Sequence, residues 1–223
     1  MAKSIVLLTK QEQFSSYATG IAQALFPDIE TFSGKVGDPM PARLGAGADV
    51  LISFLSPWII PARVLDVCGT AINFHPGSVE YPGTGCYNFA LYEGAAEFGA
   101  TCHHMLPKVD TGLVIEERRF PVFAGDTVEL LKLRTMATML ALFHDIACLI
   151  ARGEPLPVAA THWTRRAFTR REMNALKRLT DDMAPGEIQR RIRATVYPGY
   201  DGPFWDRCSG IEVVPVPQRA ALA

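Results

Sequence analysis

Asp49-Val50-Leu51-Ile52-Ser53-Phe54 and Ala71-Ile72-Asn73-Phe74-His75 are two apolar runs of strand length, the first followed by Pro57 and the second stopped by Pro76-Gly77. Runs this short, rich in β-branched and aromatic residues and closed by turn formers, predict buried strands rather than helices. Between them Pro57 and Pro61 frame the entry to a short helix ending near Val67. Strand, helix, strand in that order is the crossover unit of a parallel sheet.

Toward the N-terminus, Ser4-Ile5-Val6-Leu7-Leu8 predicts a further strand, and Phe14, Tyr17, Ala18, Ile21, Ala22 and Leu25 fall on one face of a helix. Ile29-Glu30-Thr31-Phe32 is a candidate second strand, and a Gly/Pro/Ala-rich stretch covers 34–47. Only about fifty residues precede the strand at Asp49. Toward the C-terminus come a helix over Tyr87–Glu93, strands Ala100–Met105 and Leu113–Phe120 around the turn Pro107–Gly112, and a long helix from about Thr127 to Ile150. Apolar residues occupy most of that helix's circumference, so it should pack centrally against the sheet. The expected fold is α/β: an open, mostly parallel twisted sheet with helices on both faces, followed by a short, mainly helical C-terminal tail. Residues 1–153 are expected to form the main domain. Residues 154–223 form an extension with helical patterns over Arg170–Leu176 and Pro185–Ala194 and no strand periodicity.

The 223 residues suit one core with an appendage. Hydrophobic residues make up 48% and charged ones 20%, which excludes the signature of disorder. With 22 Lys+Arg against 23 Asp+Glu the net charge is -1, so no global field favours nucleic acid or an anionic membrane. Cys68, Cys86, Cys102, Cys148 and Cys208 are odd in number and show no metal-type spacing, which predicts reduced thiols and no metal. The start lacks the apolar stretch of a signal peptide, and Lys132, Arg134, His144 and Asp145 interrupt the greasiest window. A cytoplasmic protein without a membrane partner is expected.

Ligands of open α/β sheets bind beyond the carboxyl ends of the strands. Asn73 and His75 end a strand and, two residues apart, project to one side of it. Asp110 lies in a turn that can reach the same rim. An amide, an imidazole and a carboxylate together suit acyl transfer to an amine, with the imidazole relaying a proton and the amide holding an oxyanion. The same residues also suit a hydrogen-bonded strand end and a plain turn.

Linked motifs add to this. Asn73-Phe74-His75-Pro76, followed 35 residues after the histidine by Asp110-Thr111-Gly112, resembles the Asn-x-His-Pro and Asp-Thr-Gly fingerprints of the folate-dependent formyltransferases. Leu55-Ser56-Pro57-Trp58-Ile59-Ile60-Pro61 is similar to one wall of that family's folate pocket, and Gly99-Ala100-Thr101-Cys102-His103 to its Gly-x-Thr-x-His strand. The resemblance is closest over about residues 49–120, and in kind nearest to sugar N-formyltransferases and the catalytic domain of methionyl-tRNA formyltransferase. It implies a Rossmann-like fold and 10-formyltetrahydrofolate as co-substrate. It also implies Asn73, His75 and Asp110 as catalytic residues. Asn73 and protonated His75 would hold the oxyanion formed when the amine attacks, while Asp110 orients His75. Phe54, Leu55, Ser56 and Ile60 would form the pterin-side wall, Val109 with Asp110 the opposing loop, and His103 would lie near the pocket.

The acceptor is less legible. The loop Gly77–Gly85 departs from the family pattern and carries Glu80. Thr9-Lys10-Gln11-Glu12 stands where a glycinamide ribonucleotide enzyme has its phosphate loop, and 70 residues after Gly153 are few for a tRNA-binding barrel. From Arg165 to Arg193 nine basic residues face four acidic ones, enough to grip phosphates. A nucleotide-linked amino sugar is therefore the preferred small-molecule amine acceptor, and nucleic acid is not expected as a partner. A homodimer is compatible with the sequence. Alternatives are a formyltetrahydrofolate hydrolase, a formyltransferase for another small amine or for methionyl-tRNA, and a folate-binding module whose acceptor site Glu80 and the altered loop block.

Overall fold

The computed structural model describes residues 3–207 and 210–215. Its main sheet has the order β2-β1-β3-β4-β5-β6, built from β1 (Ile5–Lys10), β2 (Glu30–Gly34), β3 (Val50–Phe54), β4 (Thr70–His75), β5 (Glu97–His104) and β6 (Val114–Pro121). The pairs β1·β2, β1·β3 and β3·β4 are parallel. The pairs β4·β5 and β5·β6 are antiparallel, so the sheet is mixed but mostly parallel as expected. Each anticipated strand is present within a few residues of its predicted ends.

β1 and β3 read as unbroken apolar runs because both faces of the sheet are covered. Ile5, Leu7, Val50, Ile52, Phe54, Ile72 and Phe74 pack on one face against α1 (Gln13–Leu25) and α4 (Val128–Arg152). Val6, Leu8 and Leu51 pack on the other against Leu44, Ile60 and Val64, from the short 3₁₀ turn Ala42–Ala46 and the region of α2 (Ala62–Leu65). That 3₁₀ turn is all the helix between β2 and β3. Thr127 caps α4 by accepting from Leu130 N, and Gly153 ends it in the left-handed region at φ 69°. By length and composition α4 alone among the described helices could cross a membrane. Here Met136, Met139, Leu142, Phe143 and Ile146 of α4 are buried in the core against the sheet.

The extension holds α5 (Arg170–Lys177) and α6 (Pro185–Thr195) where helical patterns were expected. It also holds a small sheet that sequence reading missed, β7 (Arg178–Leu179), β8 (Phe204–Arg207) and β9 (Gly210–Val213). Strands of two and four residues are too short to show a period. Met173, Leu176 and Ala194 from this region share a core with Phe89, Leu91, Phe98 and Leu131, on α3 (Cys86–Glu93), β5 and α4. The chain reverses its winding direction between β1 and β3, which is the topological switch point of the sheet.

Candidate active site

Cross-strand register builds the site. Ser53 pairs with Asn73, Asn73 with His103, and His75 with Thr101. Because Ile72 and Phe74 enter the core, Asn73 and His75 face the other side, and His103 stands beside Asn73. Asp110 is delivered by the turn before β6. It and Leu55 are the only non-glycine residues with positive φ among those described, at 49° and 56°. Both lie at strand ends bordering the site, where unusual backbone geometry concentrates. Gly112 lets the turn close, since a Cβ there would run into the carbonyl of His104.

Asp110 is 4% exposed and sits between two imidazoles. One oxygen lies 3.3 Å from Nδ1 of His75, the other 3.3 Å from Nε2 of His103. The Gly83 N–H donates to the same carboxylate at 2.7 Å. The outer ring nitrogens meet backbone carbonyls, Nε2 of His75 with Tyr81 O at 2.9 Å and Nδ1 of His103 with His104 O at 2.8 Å. A carbonyl only accepts, so each outer nitrogen carries a hydrogen and donates it. Burial would raise the Asp110 carboxyl, but His75, His103 and the Gly83 N–H together hold it well below the usual carboxylate range. Asn73 Nδ2 lies 3.1 Å from His103 Nε2. Its amide donates when that nitrogen is bare and presents its oxygen when the nitrogen is protonated.

Two cavities flank this centre. The smaller, about 170 Å³, is lined by Ser53, Ser56, Trp58, Ile60, Asn73, His103, Val109 and Asp110. Six of the nine residues singled out in the sequence, Ser56, Ile60, Asn73, His103, Val109 and Asp110, thus share one cavity. The other three lie elsewhere. His75 is 4% exposed, beneath the loop Gly77–Gly85. The Phe54 side chain belongs to the opposite face, packed on Phe74 and Phe143, because residues alternate along β3. This corrects its assignment as a wall; only its main chain can serve the pocket. Leu55 turns instead to the larger cavity of about 410 Å³ at the switch point.

That larger cavity is lined by four cations, Lys10, Lys132, Arg170 and Lys177, and two carboxylates, Glu12 and Asp201, with Tyr87, Asn88, Tyr197 and Tyr200 around them. Lys10 and Lys132 were missed in the sequence, since cations from β1 and α4 meet only in three dimensions. The structure also sorts the basic tail. Arg165 pairs with Glu93, Arg166 with Glu172, and Arg190 and Arg191 with Glu187, while Arg193 donates to the carbonyls of Asp126 and Phe123. Arg170 and Lys177 face the cavity. Glu80 is held by Arg119 at 3.0 Å and lines neither cavity, so its charge does not block them. Cys86 lies beside His75, but its thiol donates to Pro76 O and burial pushes it up to about 12, which removes it as a nucleophile. Among the described residues no cluster of three or more His, Cys, Asp or Glu could hold a metal. Trp163, from the extension, was also missed; its ring stands edge-on to both His75 and His103.

Residues 41–143 match the family model described as formyl transferase. The methionyl-tRNA formyltransferase of Geobacillus thermodenitrificans is 28% identical over 188 residues, covering 80% of this chain and 57% of that enzyme. The chain spans roughly half the length of the curated relatives it matches. Among solved structures, a sugar N-formyltransferase from a Shewanella species superposes with a TM-score of 0.80 at 16% identity, over 98% of this chain and 99% of that one. An N-formyltransferase from Helicobacter canadensis, in complex with folinic acid and dTDP-3-aminofucose, superposes with a TM-score of 0.70 at 15% identity, over 88% of this chain and 81% of that one. These likenesses establish a shared fold.

Proposed function

As residues 41–143 of this chain belong to the formyl transferase family, we propose that it moves a formyl group from 10-formyltetrahydrofolate to the primary amine of a nucleotide-linked amino sugar in the cytoplasm. The observation that carries the choice of acceptor is the cation-lined cavity beside the Asp110 centre. Lys10, Lys132, Arg170 and Lys177 outnumber Glu12 and Asp201 there and leave an excess of positive charge for a diphosphate, and the rings of Tyr197 and Tyr200 offer a surface for a base. The Helicobacter canadensis enzyme, whose structure contains folinic acid and dTDP-3-aminofucose, supports the same pairing of ligands.

The smaller cavity suits the folate. Ile60, Trp58 and Val109 give it apolar walls, and Asn73, Asp110 and strand-end main chain supply the polar edge. The folate would bring the activated formyl group. Everything else falls to the chain. Asn73 Nδ2–H is placed to donate to the oxygen that gains charge as the amine adds. Asp110 orients the two rings, and an imidazole can relay the proton lost by the attacking amine to the folate nitrogen as the bond from that nitrogen to the formyl carbon breaks. In the resting geometry His75 Nε2–H is bonded to Tyr81 O. That bond must exchange for the substrate oxygen if His75 is to act directly, and catalytic hydrogen bonds commonly form only in the complex. The extension, residues 154–223, contributes Arg170, Lys177, Tyr197 and Tyr200 to the acceptor cavity and is proposed as its specificity element.

The test is incubation with 10-formyltetrahydrofolate and a panel of amines, including dTDP- and UDP-linked amino sugars, with mass spectrometry for formylated product. Formylation of a nucleotide-linked amine is expected. Asn73→Ala should lower kcat about 10²–10³-fold by removing one oxyanion donor. Folate turnover that is equally fast without any amine would assign a hydrolase instead.

A further inference from the structure

Trp163 belongs to none of the motifs that identify the family segment, and it lies outside residues 41–143. Its ring stands 5.6 Å from that of His75 at 75° and 5.0 Å from that of His103 at 90°, edge-to-face with both. Edge-to-face ring pairs are attractive and favour a fixed mutual orientation. The indole is itself fixed. Its Nε1–H donates to Gly112 O at 2.9 Å, on the turn that carries Asp110. The segment around it is bonded to both sides of the site: Ala159 N to Val114 O at 3.0 Å, Thr164 N to Val79 O at 3.4 Å, and Phe168 N to Pro82 O at 2.9 Å.

We propose that Trp163 is a positioning residue that seals the two imidazoles against bulk water and holds both rings on Asp110. This rests on the formyl-transfer reading above and deepens it. His75 and His103 are 4% and 2% exposed, and the half-buried indole is the large side chain packed on both. A proton relayed along the rings during transfer then passes to the reacting groups rather than into solvent. Removing the indole admits water next to the rings, where it competes with the amine for the formyl carbon. Trp163 thereby biases the centre toward transfer and away from hydrolysis, a task the extension performs in addition to lining the acceptor cavity.

The test uses the full chain and three variants, Trp163→Ala, Trp163→Phe and Trp163→Leu. Nuclear magnetic resonance of ¹⁵N-histidine-labelled protein follows the ring N–H protons of His75 and His103, a readout independent of activity. The expected result is slow exchange in the parent chain, fast exchange in Trp163→Ala, and protection restored by Trp163→Phe. With 10-formyltetrahydrofolate, Trp163→Ala should lose about 10²-fold in kcat for the amine. Its KM should not change, and formate release in the absence of amine should rise. Trp163→Phe should return most of both. If Trp163→Ala does not fold, Trp163→Leu, which keeps bulk without a ring, replaces it in every comparison. Ring exchange and the ratio of hydrolysis to transfer unchanged in a folded Ala or Leu variant would overturn the proposal. So would Trp163→Phe behaving as Trp163→Ala, since the bond to Gly112 would then be the whole effect. A parent chain that consumes no 10-formyltetrahydrofolate defeats the functional reading alone, and the exchange measurement still judges Trp163.

Discussion

Asp110→Asn isolates the charge at the centre of the site. The amide has nearly the shape of the carboxylate and keeps the bond from Gly83 N by turning its oxygen toward that N–H, which lies 2.7 Å away in the parent chain. What is lost is the negative charge facing His75 and His103, each at 3.3 Å and each almost fully buried. Removing one partner of a buried pair costs about 3–5 kcal/mol, and retention of the Gly83 bond places this case near 3. For a chain of this size that lowers Tm by about 6–12 °C at neutral pH. The pH dependence is a stronger test. Asp110 is held below the usual range in the folded chain, so in acid the unfolded chain takes up the proton first. Stability then falls with falling pH. The contribution of Asp110 is complete above the ordinary aspartate value of about 4 and drains away as pH drops through the lower folded value. Urea unfolding of both chains, followed by tryptophan fluorescence from neutral pH down into acid, should show two stability curves that stand apart at neutral pH and begin to converge below about pH 4. Curves that run parallel into acid, or that coincide at neutral pH, would refute the placement of an ionised Asp110 between the rings.

Gly112→Ala should distort the turn that presents Asp110, because a Cβ there collides with His104 O; calorimetry should show a loss of about 1–3 kcal/mol, with activity falling alongside. Arg170→Ala and Lys177→Ala should each raise KM for a nucleotide-linked amine by about tenfold or more while leaving KM for the folate unchanged, since a hydrogen bond to a charged group is worth about 1.5–3 kcal/mol; initial-rate kinetics with each substrate varied in turn would separate the two effects.

How much could be read from the chain follows the physics of each part. The sheet was legible because β1 and β3 are buried on both faces and therefore appear as continuous apolar runs, while β4 alternates Ile72 and Phe74 in the core with Asn73 and His75 on the other side. Asn73 and His75 were legible because alternation along a strand is a local rule, and the same rule places Phe54 on the wrong face for a pocket wall. Leu55 could not be placed by alternation, since its positive φ breaks the pleat. The cations were half legible. Charge counting found a basic tail but could not tell Arg165 and Arg191, spent on Glu93 and Glu187, from Arg170 and Lys177, which face a cavity. Lys10, Lys132 and Trp163 had no local signature, because their roles arise from elements far apart in sequence that meet in the fold.

The division of labour in the molecule follows from the same distinction. Asn73, His75 and Asp110 are set by strand register and one tight turn, which cannot change much without breaking the sheet. The residues of the proposed acceptor cavity come from the switch-point ends of β1 and β3 and from the extension. There Arg170, Lys177, Tyr197 and Tyr200 hang on short helices and a turn. Met173, Leu176 and Ala194 tie those helices into a core shared with α3 and α4, so the extension moves with the sheet and not as a free arm. Changing the acceptor therefore requires only new side chains on that rim, whereas changing the donor chemistry requires a new register. On this account substitutions that alter the preferred amine should concentrate at the α5 and Tyr197–Tyr200 positions and leave the Asp110 centre untouched.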